Sequence, residues 1–136
     1  MSTFNLEIVA TDKIFYKGPC EFLVFPGIDG EHGILANHEP MVAAVAAGEL
    51  RYTVDGEVHG AAVGDGFIEV SSEKVVVISD FAEKPEEIDI KRAERAKERA
   101  EERLRLKRSE KEYAHSQAAL SRAMARLKVA RRNARR

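Results

Sequence analysis

Basic side chains recur at the spacing of a helix face in the second part of the chain. Residues four apart lie on one side of an α-helix, so the spacing predicts a basic ridge, with Glu94, Glu98 and Glu102 forming an acidic ridge beside it. Pairs three apart, such as Arg95–Glu98 and Arg99–Glu102, are expected to offset the repulsion along each ridge. Three uses stay open for this surface: a solvated helix face, docking against an acidic protein groove, or contact with nucleic acid. The basic ridge consists of Lys91, Arg95, Arg99, Arg103 and Lys107.

No set of residues in the sequence supports independent catalysis. Gly64-Asp65-Gly66 is not followed by the third glycine of a dinucleotide loop, and no Gly-Lys-Ser/Thr motif occurs. Only His32 and His38 are placed so that they could meet at a metal ion, and we expect none there because their spacing is not that of known metal ligands. The sequence therefore predicts a protein that is not an enzyme and requires no cofactor.

The two parts of the chain carry opposite charge. Residues 1–85 contain 5 Lys/Arg and 14 Asp/Glu, a net charge of −9, whereas residues 86–136 contain 17 Lys/Arg and 9 Asp/Glu, a net charge of +8. A division this sharp in a chain of 136 residues indicates two physical units. We predict one domain over residues 1–85 and a second over residues 86–136.

The sequence predicts a protein of a reducing compartment without a membrane span. Its single cysteine, Cys20, lies in the apolar run CEFLVFP and is interpreted as a small buried hydrophobic residue. The first residues lack the basic and apolar regions of a signal peptide, and no window approaches the ~20 apolar residues that cross a bilayer. We expect a cytoplasmic location, with attachment to a membrane complex still open.

Short β-rich runs alternate with turn signals over residues 4–80. The run FNLEIVA alternates apolar and polar residues, which is the period of a half-buried strand. Asp55-Gly56 can adopt the positive φ angles of a type I′ turn and predicts a hairpin of residues 50–54 and 57–63. With turns at GDG and SSEK and a buried strand at KVVVISD, the pattern is typical of an antiparallel β-sandwich or flattened barrel.

One long segment interrupts this pattern. Residues 26–42, PGIDGEHGILANHEPMV, are rich in glycine, proline and polar residues, with Ile34 and Leu35 available to anchor them. We interpret the segment as a long loop, which is either functional or a plain crossover connection.

The composition after Pro85 predicts two antiparallel helices. Glycine disappears, proline does not recur, and Ala, Glu, Arg, Lys and Leu dominate. Asp89 is placed to cap the first helix, and Ser109, in the break KRSEKE, to cap the second. The predicted fold class is therefore α+β: an N-terminal antiparallel β-sandwich followed by a C-terminal antiparallel two-helix hairpin.

The faces on which these helices would meet carry mainly small side chains. At ~0.8 kcal/mol per buried methyl-sized group, alanines contribute only a few kcal/mol, against ~1–1.5 kcal/mol per residue for ordering the segment. The hairpin is therefore predicted to be marginally stable, so that a partner or ligand could repack it. The first helix would present Asp89, Ala93, Ala96, Ala100 and Leu104, and the second Tyr113, Leu120, Met124 and Leu127 with Ala119, Ala123 and Ala130.

Three stretches of the sequence resemble the epsilon subunit of bacterial F-type ATP synthases. PGIDGEHGI, followed by His38 and Pro40, is similar to the family's Pro-Gly-x-x-Gly-Glu-x-Gly-Ile signature, with His32 where the family usually has Leu and Ala36 where Pro is common. GDGFIEV and the strand VVVISD resemble a second, less specific stretch. IDIKRA, residues 88–93, matches the Ile/Leu-Asp-x-x-Arg-Ala motif in full. The resemblance spans the whole chain.

This resemblance implies a non-catalytic subunit of the central stalk. It implies that the sandwich binds the gamma subunit and rests on the membrane ring of c subunits, with Glu31, His32 and His38 at the rotor interface. The hairpin would either fold onto the sandwich or extend along gamma into the alpha/beta catalytic head and block rotation in the hydrolysis direction. The implied location is the cytoplasmic face of the cell membrane, as a peripheral protein, with proton or sodium as the coupling ion.

The resemblance also implies a regulatory ATP site on the folded hairpin. In some members the Asp-x-x-Arg motif binds ATP, and antiparallel helices would bring Arg92 towards two arginines of the second helix. Arginine suits phosphate because its planar fork donates two parallel hydrogen bonds. The alternative is that Asp89 is only a helix cap and Arg92 only a surface charge. The implied nucleotide-binding residues are Glu83, Ile88, Asp89, Arg92, Ala93, Arg122 and Arg126.

The strongest alternative from another class is a nucleic-acid-binding module, a β-domain with a basic helical arm. The arginine-rich end RLKVARRNARR favours it. The acidic ridge beside the basic one and the lack of interleaved aromatic residues count against it. We therefore predict protein partners and no nucleic acid.

Overall fold

The alternating runs of the first part form a two-layer β-sandwich, and the alanine-rich part forms a hairpin of helices. The computed structural model describes residues 2–106 and 109–134. A short 3₁₀ helix, Pro85–Glu87, leads from the last strand into α1 (Ile90–Leu106) and then α2 (Glu110–Ala134). The predicted fold class is confirmed. The strands are β1 (Phe4–Ala10), β2 (Lys13–Cys20), β3 (Phe22–Gly27), β4 (Gly30–Leu35), β5 (Met41–Val45), β6 (Gly48–Val54), β7 (Glu57–Val63), β8 (Gly66–Val70), β9 (Lys74–Ser79) and β10 (Ala82–Glu83).

The strands form two five-stranded sheets with the apolar core between them. Sheet 1 has the order β2-β1-β9-β8-β5, and sheet 2 has the order β10-β7-β6-β3-β4. The pairing is antiparallel except between β1 and β9, where Ile8 lies opposite Val77 in a parallel pair. Alternate residues of both sheets, such as Leu6, Phe25 and Val77, point into the core and are fully buried.

The hairpin predicted at Asp55-Gly56 is confirmed. Both residues have positive φ angles, 51° and 80°, as a type I′ turn requires. Val54 lies opposite Glu57, so the turn sets the register of β6 and β7. The first strand of this hairpin begins at Gly48, earlier than predicted.

The prediction of one long loop over residues 26–42 is wrong. The chain turns at Ile28 and Asp29, and β4 then returns along β3 as the edge strand of sheet 2. The turn is possible because Gly30 adopts a φ angle of 129°. An edge strand buries few of its side chains, so its glycines and polar residues conceal the apolar alternation by which a strand is recognised.

Both predicted helix caps are confirmed. The N–H of Arg92 donates to Asp89 Oδ1 at 3.0 Å, and the N–H of Glu112 donates to Ser109 Oγ at 3.1 Å. Each bond satisfies one of the donors that the first turn of a helix leaves without a partner.

The ridges of α1 are arranged differently from the prediction. Among the described residues, the ion pair on this helix joins Glu102 to Arg105, and the predicted pairs Arg95–Glu98 and Arg99–Glu102 are not formed. The alanine face of α1 is directed at α2, as predicted, with Ala93 buried. Arg99 instead lines a cavity between the helices.

The contacts of α2 are only partly those predicted. Leu127 is buried, but Tyr113 and Met124 are 50% and 51% exposed. Ala125 and Val129 are buried instead. The reason is that α2 packs against α1 on one side and lies over β6 and β7 on another. In the part of the chain that the structure describes, neither helix is long and apolar enough to cross a bilayer.

Candidate functional site

A cavity of about 410 Å³ lies between α1 and α2 beside the end of the sandwich. All of the predicted nucleotide-binding residues line it except Ile88. Ile88 follows the 3₁₀ helix, and its N–H donates to the carbonyl of Pro85 at 3.2 Å. The structure therefore brings Glu83, the first turn of α1 and the later part of α2 to one place. The lining residues that were not predicted are Glu87, Ala96, Arg99, Ala119 and Ala123.

Three elements position the polar groups of this cavity. Glu83 is held at the end of β10, where it lies opposite Ala62 of β7. Asp89 caps α1 and so places Arg92 in the first turn. Arg122 and Arg126 lie one turn apart on α2, so both point to the same side of that helix.

Arg126 is the most constrained of the arginines. Its Nε forms an ion pair with Glu83, and its guanidinium lies over the Phe81 ring at 4.2 Å. Cation–π contact and ion pairing together fix this side chain between the sandwich and α2. The Arg126 guanidinium is therefore engaged in contacts within the protein.

Three other arginines line the cavity, together with the carboxylates of Glu83, Glu87 and Asp89. Within residues 2–106 and 109–134, no carboxylate lies within ion-pair distance of Arg92, Arg99 or Arg122. Alanines on both helices keep the space between them open. Guanidiniums bind phosphate and carboxylate oxygens through paired hydrogen bonds. The arrangement fits binding of an anion.

Arg99 is the main lining residue that the sequence analysis missed for this site. It was assigned to the exposed basic ridge of α1. A signal was present, because Arg99 lies seven residues after Arg92 and residues seven apart share a helix face.

The three predicted rotor-interface residues do not form one cluster. Glu31 and His32 are neighbours on β4 and so point to opposite faces of the strand. His32 stacks on Phe25 at 5.2 Å between ring centroids, and its Nε2–H donates to Asp29 Oδ1 at 2.7 Å. His38 lies beyond the strand, where its Nδ1–H donates to the carbonyl of Glu39 at 2.8 Å.

Glu31 is tied to the neighbouring strands of sheet 2. Its carboxylate accepts a hydrogen bond from Arg51 Nη1 at 2.8 Å. This bond lowers the pKa of the Glu31 carboxyl below its ordinary value, with further lowering from the positive charges of Arg51, Lys128 and Arg132. The residue therefore stays ionised to lower pH than an isolated glutamate.

A large apolar side chain stands at the tip of the β3–β4 turn. Ile28 is 82% exposed and lies in the turn beyond Gly27 and Gly30, the last pair of the two strands. Sequence analysis missed it because the segment was treated as a loop without a tip.

Sheet 1 exposes an apolar row that the sequence analysis did not identify. One cross-strand line runs through Ala44, Phe67, Ile78, Val9 and Ile14 on the face away from the core. Phe67 is 62% exposed, and Val42 beside the row is also exposed. A contiguous exposed apolar surface of this kind marks a protein contact.

Two family profiles match the chain. "ATP synthase, Delta/Epsilon chain, beta-sandwich domain" matches residues 3–85, and "ATP synthase, Delta/Epsilon chain, long alpha-helix domain" matches residues 86–131. A β-sandwich followed by a helical domain defines the class of two-domain ATP synthase delta/epsilon chains. The chain belongs to the ATP synthase delta/epsilon chain family, in which it is a subunit of the rotary complex and not a catalytic one.

Relatives agree over nearly the full length. The ATP synthase epsilon chain of Ruminiclostridium cellulolyticum is 49% identical over 97% of this chain and 98% of the relative. The ATP synthase epsilon chain of Caldicellulosiruptor bescii is 46% identical over 98% of this chain and 97% of the relative. A chain in the Euglena gracilis mitochondrial ATP synthase (OSCP/F1/c-ring) superposes with a TM-score of 0.83, over 96% of this chain and 82% of that one. Its sequence identity is 24%, so this similarity supports the fold alone. The family resemblance of the motifs is confirmed, and the nucleic-acid module is not supported.

Removing Arg51 should raise the pKa of Glu31. Because the folded-state pKa lies below the unfolded one, the ion pair stabilises the fold above the unfolded pKa, and this stabilisation is lost as the pH falls through the folded value. In Arg51→Ala, the Glu31 carboxyl should titrate at higher pH in NMR than in the unaltered chain, because its main hydrogen-bond donor is lost. Glu7, whose pKa Lys74 lowers, is the control and should not move. An unchanged Glu31 titration would contradict the assignment.

Proposed function

We propose that this chain is the epsilon-type subunit of the central stalk, which couples the catalytic head to the c-ring and restrains ATP hydrolysis through its hairpin. The observation that carries the proposal is the full-length family match combined with a hairpin attached to the sandwich through α2. Because the helix pair contacts the sandwich mainly through α2, it can detach from it without disturbing the core between the sheets. The chain would lie at the cytoplasmic face of the membrane as a peripheral subunit, with the coupling ion, proton or sodium, left open.

The exposed apolar row of sheet 1 is the proposed contact for the gamma subunit. It lies on the sheet opposite the one that carries α2, so a partner there leaves the hairpin free. The row spans all strands of sheet 1, which provides an apolar surface of the kind that becomes the centre of a protein interface.

The β3–β4 turn with the loop after β4 is the proposed contact for the c-ring. Ile28 supplies an exposed apolar tip, and Glu31 supplies a half-exposed carboxylate. His38 lies in the loop that follows. His32 is stacked on Phe25 and bonded to Asp29, so its role there would be to hold the turn in shape.

The cavity between the helices is the proposed ATP site, and ATP would act as a regulatory ligand. Arg92, Arg99 and Arg122 suit the oxygens of a triphosphate. Because Glu83 comes from the sandwich and the arginines from the helices, the cavity exists only in the docked state. A ligand at a hundred times its Kd would favour that state by ~2.7 kcal/mol.

In the undocked state, the helices are proposed to extend into the alpha/beta head. Their basic side chains would then meet acidic groups there and block rotation in the hydrolysis direction. The weak attachment through small side chains supports such a change, because little buried area has to be exposed.

Phe67→Glu should weaken binding to gamma without unfolding the sandwich. The side chain is largely exposed, so the fold tolerates the charge, whereas burial of that charge in an interface is costly. We expect affinity for gamma, measured by surface plasmon resonance, to fall at least about tenfold. Leu35→Glu, an equally exposed apolar position on sheet 2, is the matched control. Equal loss in both variants, or none in Phe67→Glu, would count against this surface.

Replacing a cavity arginine should weaken ATP binding to the full-length chain. Loss of a charge-assisted hydrogen bond costs about 1.5–3 kcal/mol, so Arg92→Ala, Arg99→Ala and Arg122→Ala should each raise the Kd about 10- to 100-fold in isothermal titration calorimetry. Arg95→Ala, exposed on α1 outside the cavity, should bind as the unaltered chain does. Absence of heat at millimolar ATP in the unaltered chain would reject the site.

Deleting residues 86–136 should release inhibition. The sandwich core lies between the sheets and includes no helix residue, so the shortened chain should stay folded and bind gamma. In a reconstituted complex, ATPase activity should rise about fivefold or more relative to the full-length chain. Full-length Phe67→Glu, which should bind gamma weakly, shows how ATPase activity changes when the whole subunit is lost from the complex. Unchanged activity would remove the inhibitory role.

A further inference from the structure

Four charged side chains form a continuous line from β4 to the end of α2. Arg51 Nη1 donates to Glu31 Oε2 at 2.8 Å and to Glu49 Oε1 at 3.1 Å. The same Glu49 oxygen lies 2.8 Å from Arg132 Nη1. Negative and positive groups therefore alternate along the line, and each inner group is shared by its two neighbours.

Glu49 is the buried centre of this line. Its side chain is 1% exposed, whereas that of Glu31, at one end, is 50% exposed. A buried carboxylate requires a compensating charge, and here it has two: Arg51 from its own strand and Arg132 from α2. When α2 leaves, Glu49 loses the cation that covers it, so the pairing with Arg132 is part of what holds the helix in place.

We propose that Glu31, Arg51, Glu49 and Arg132 are a relay, and that capture of Glu31 by an arginine or lysine of a partner loosens α2 from the sandwich. Once Glu31 is neutralised from outside, Arg51 has only Glu49 as its anion within the line. Arg51 then interacts more strongly with Glu49 Oε1, the oxygen that it shares with Arg132. Its positive charge, no longer balanced by Glu31, also repels Arg132. That the partner is the rotor ring rests on the proposed function, whereas the relay is a property of the chain by itself.

The direction of the effect follows from the charges. Glu31 feels the positive charges of Arg132 and Lys128 on α2, so its own charge attracts the helix. Removing that charge weakens docking both directly and through Arg51. Half-exposed ion pairs change an equilibrium by modest factors, so a change of about two- to fivefold is expected for loss of the Glu31 charge. Arg132 pairs with a buried carboxylate, so its loss is expected to have a larger effect, about tenfold.

Hydrogen exchange of the α2 amides in the isolated full-length chain tests the relay. Glu31→Gln keeps the shape and polarity of the side chain and removes its charge. It should speed exchange over residues 122–133 about two- to fivefold, and Arg132→Ala should speed it about tenfold. Glu69→Gln, on an exposed position of β8 in sheet 1, should change nothing, and protection of β8 and β9 should be equal in all variants.

The double variant distinguishes a relay from independent effects. If the charge of Glu31 acts mainly through Arg132, Glu31→Gln should have little further effect in the Arg132→Ala background. An equal factor in both backgrounds, or no effect of Glu31→Gln alone, would overturn the proposal. Because the experiment needs neither gamma nor the ring, its failure would leave the proposed stalk function untouched, and failure of gamma binding would leave the relay untouched.

Discussion

The hairpin rests on the sandwich through one helix that lies across two carboxylates. Glu49, Ala62 and Glu83 form a single row across β6, β7 and β10. Arg132 pairs with Glu49, Arg126 pairs with Glu83, and Ala62 between them is fully buried. A small residue at the centre lets the helix come close enough to the sheet for both arginines to reach their partners. The position of α2, the shape of the cavity and the burial of Glu49 all depend on this row.

The strength of this attachment is modest. Alanines provide most of the buried surface between the helices, and each contributes about 0.8 kcal/mol. The partly exposed pair of Arg126 with Glu83 contributes ~0.2–1 kcal/mol, and the contact of Arg126 with Phe81 adds about 1 kcal/mol. Sums of this size are comparable with the free energy that an anion bound in the cavity would supply. Docking and binding are therefore linked, because the cavity needs groups from the sandwich and from both helices.

The two faces of the sandwich differ because the two sheets are covered differently. Sheet 2 carries α2, whereas the outer face of sheet 1 carries an exposed apolar row in the part of the chain that the structure describes. A partner on sheet 1 would meet neither the helices nor the cavity. Communication between the β3–β4 turn and the helices is different, because Arg51 lies between Glu31 on one side and the buried carboxylate on the other. On the proposed function, movement of the hairpin would be separable from anchoring of the sandwich but not from events at that turn.

The sequence by itself determined the local elements and the family. The Asp55-Gly56 turn, the cap at Asp89, the alternating strands and the alanine-rich helices depend on neighbours a few residues away, and short motifs identified the relatives. It did not reveal β4, whose edge position hides its alternation, nor the second buried face of α2. Pairing of Glu49 with Arg132 was decided by the tertiary structure alone, because it depends on which sheet the helix lies against. A contact between residues so distant in the chain leaves no local pattern, and packing and charge across the sheet select it.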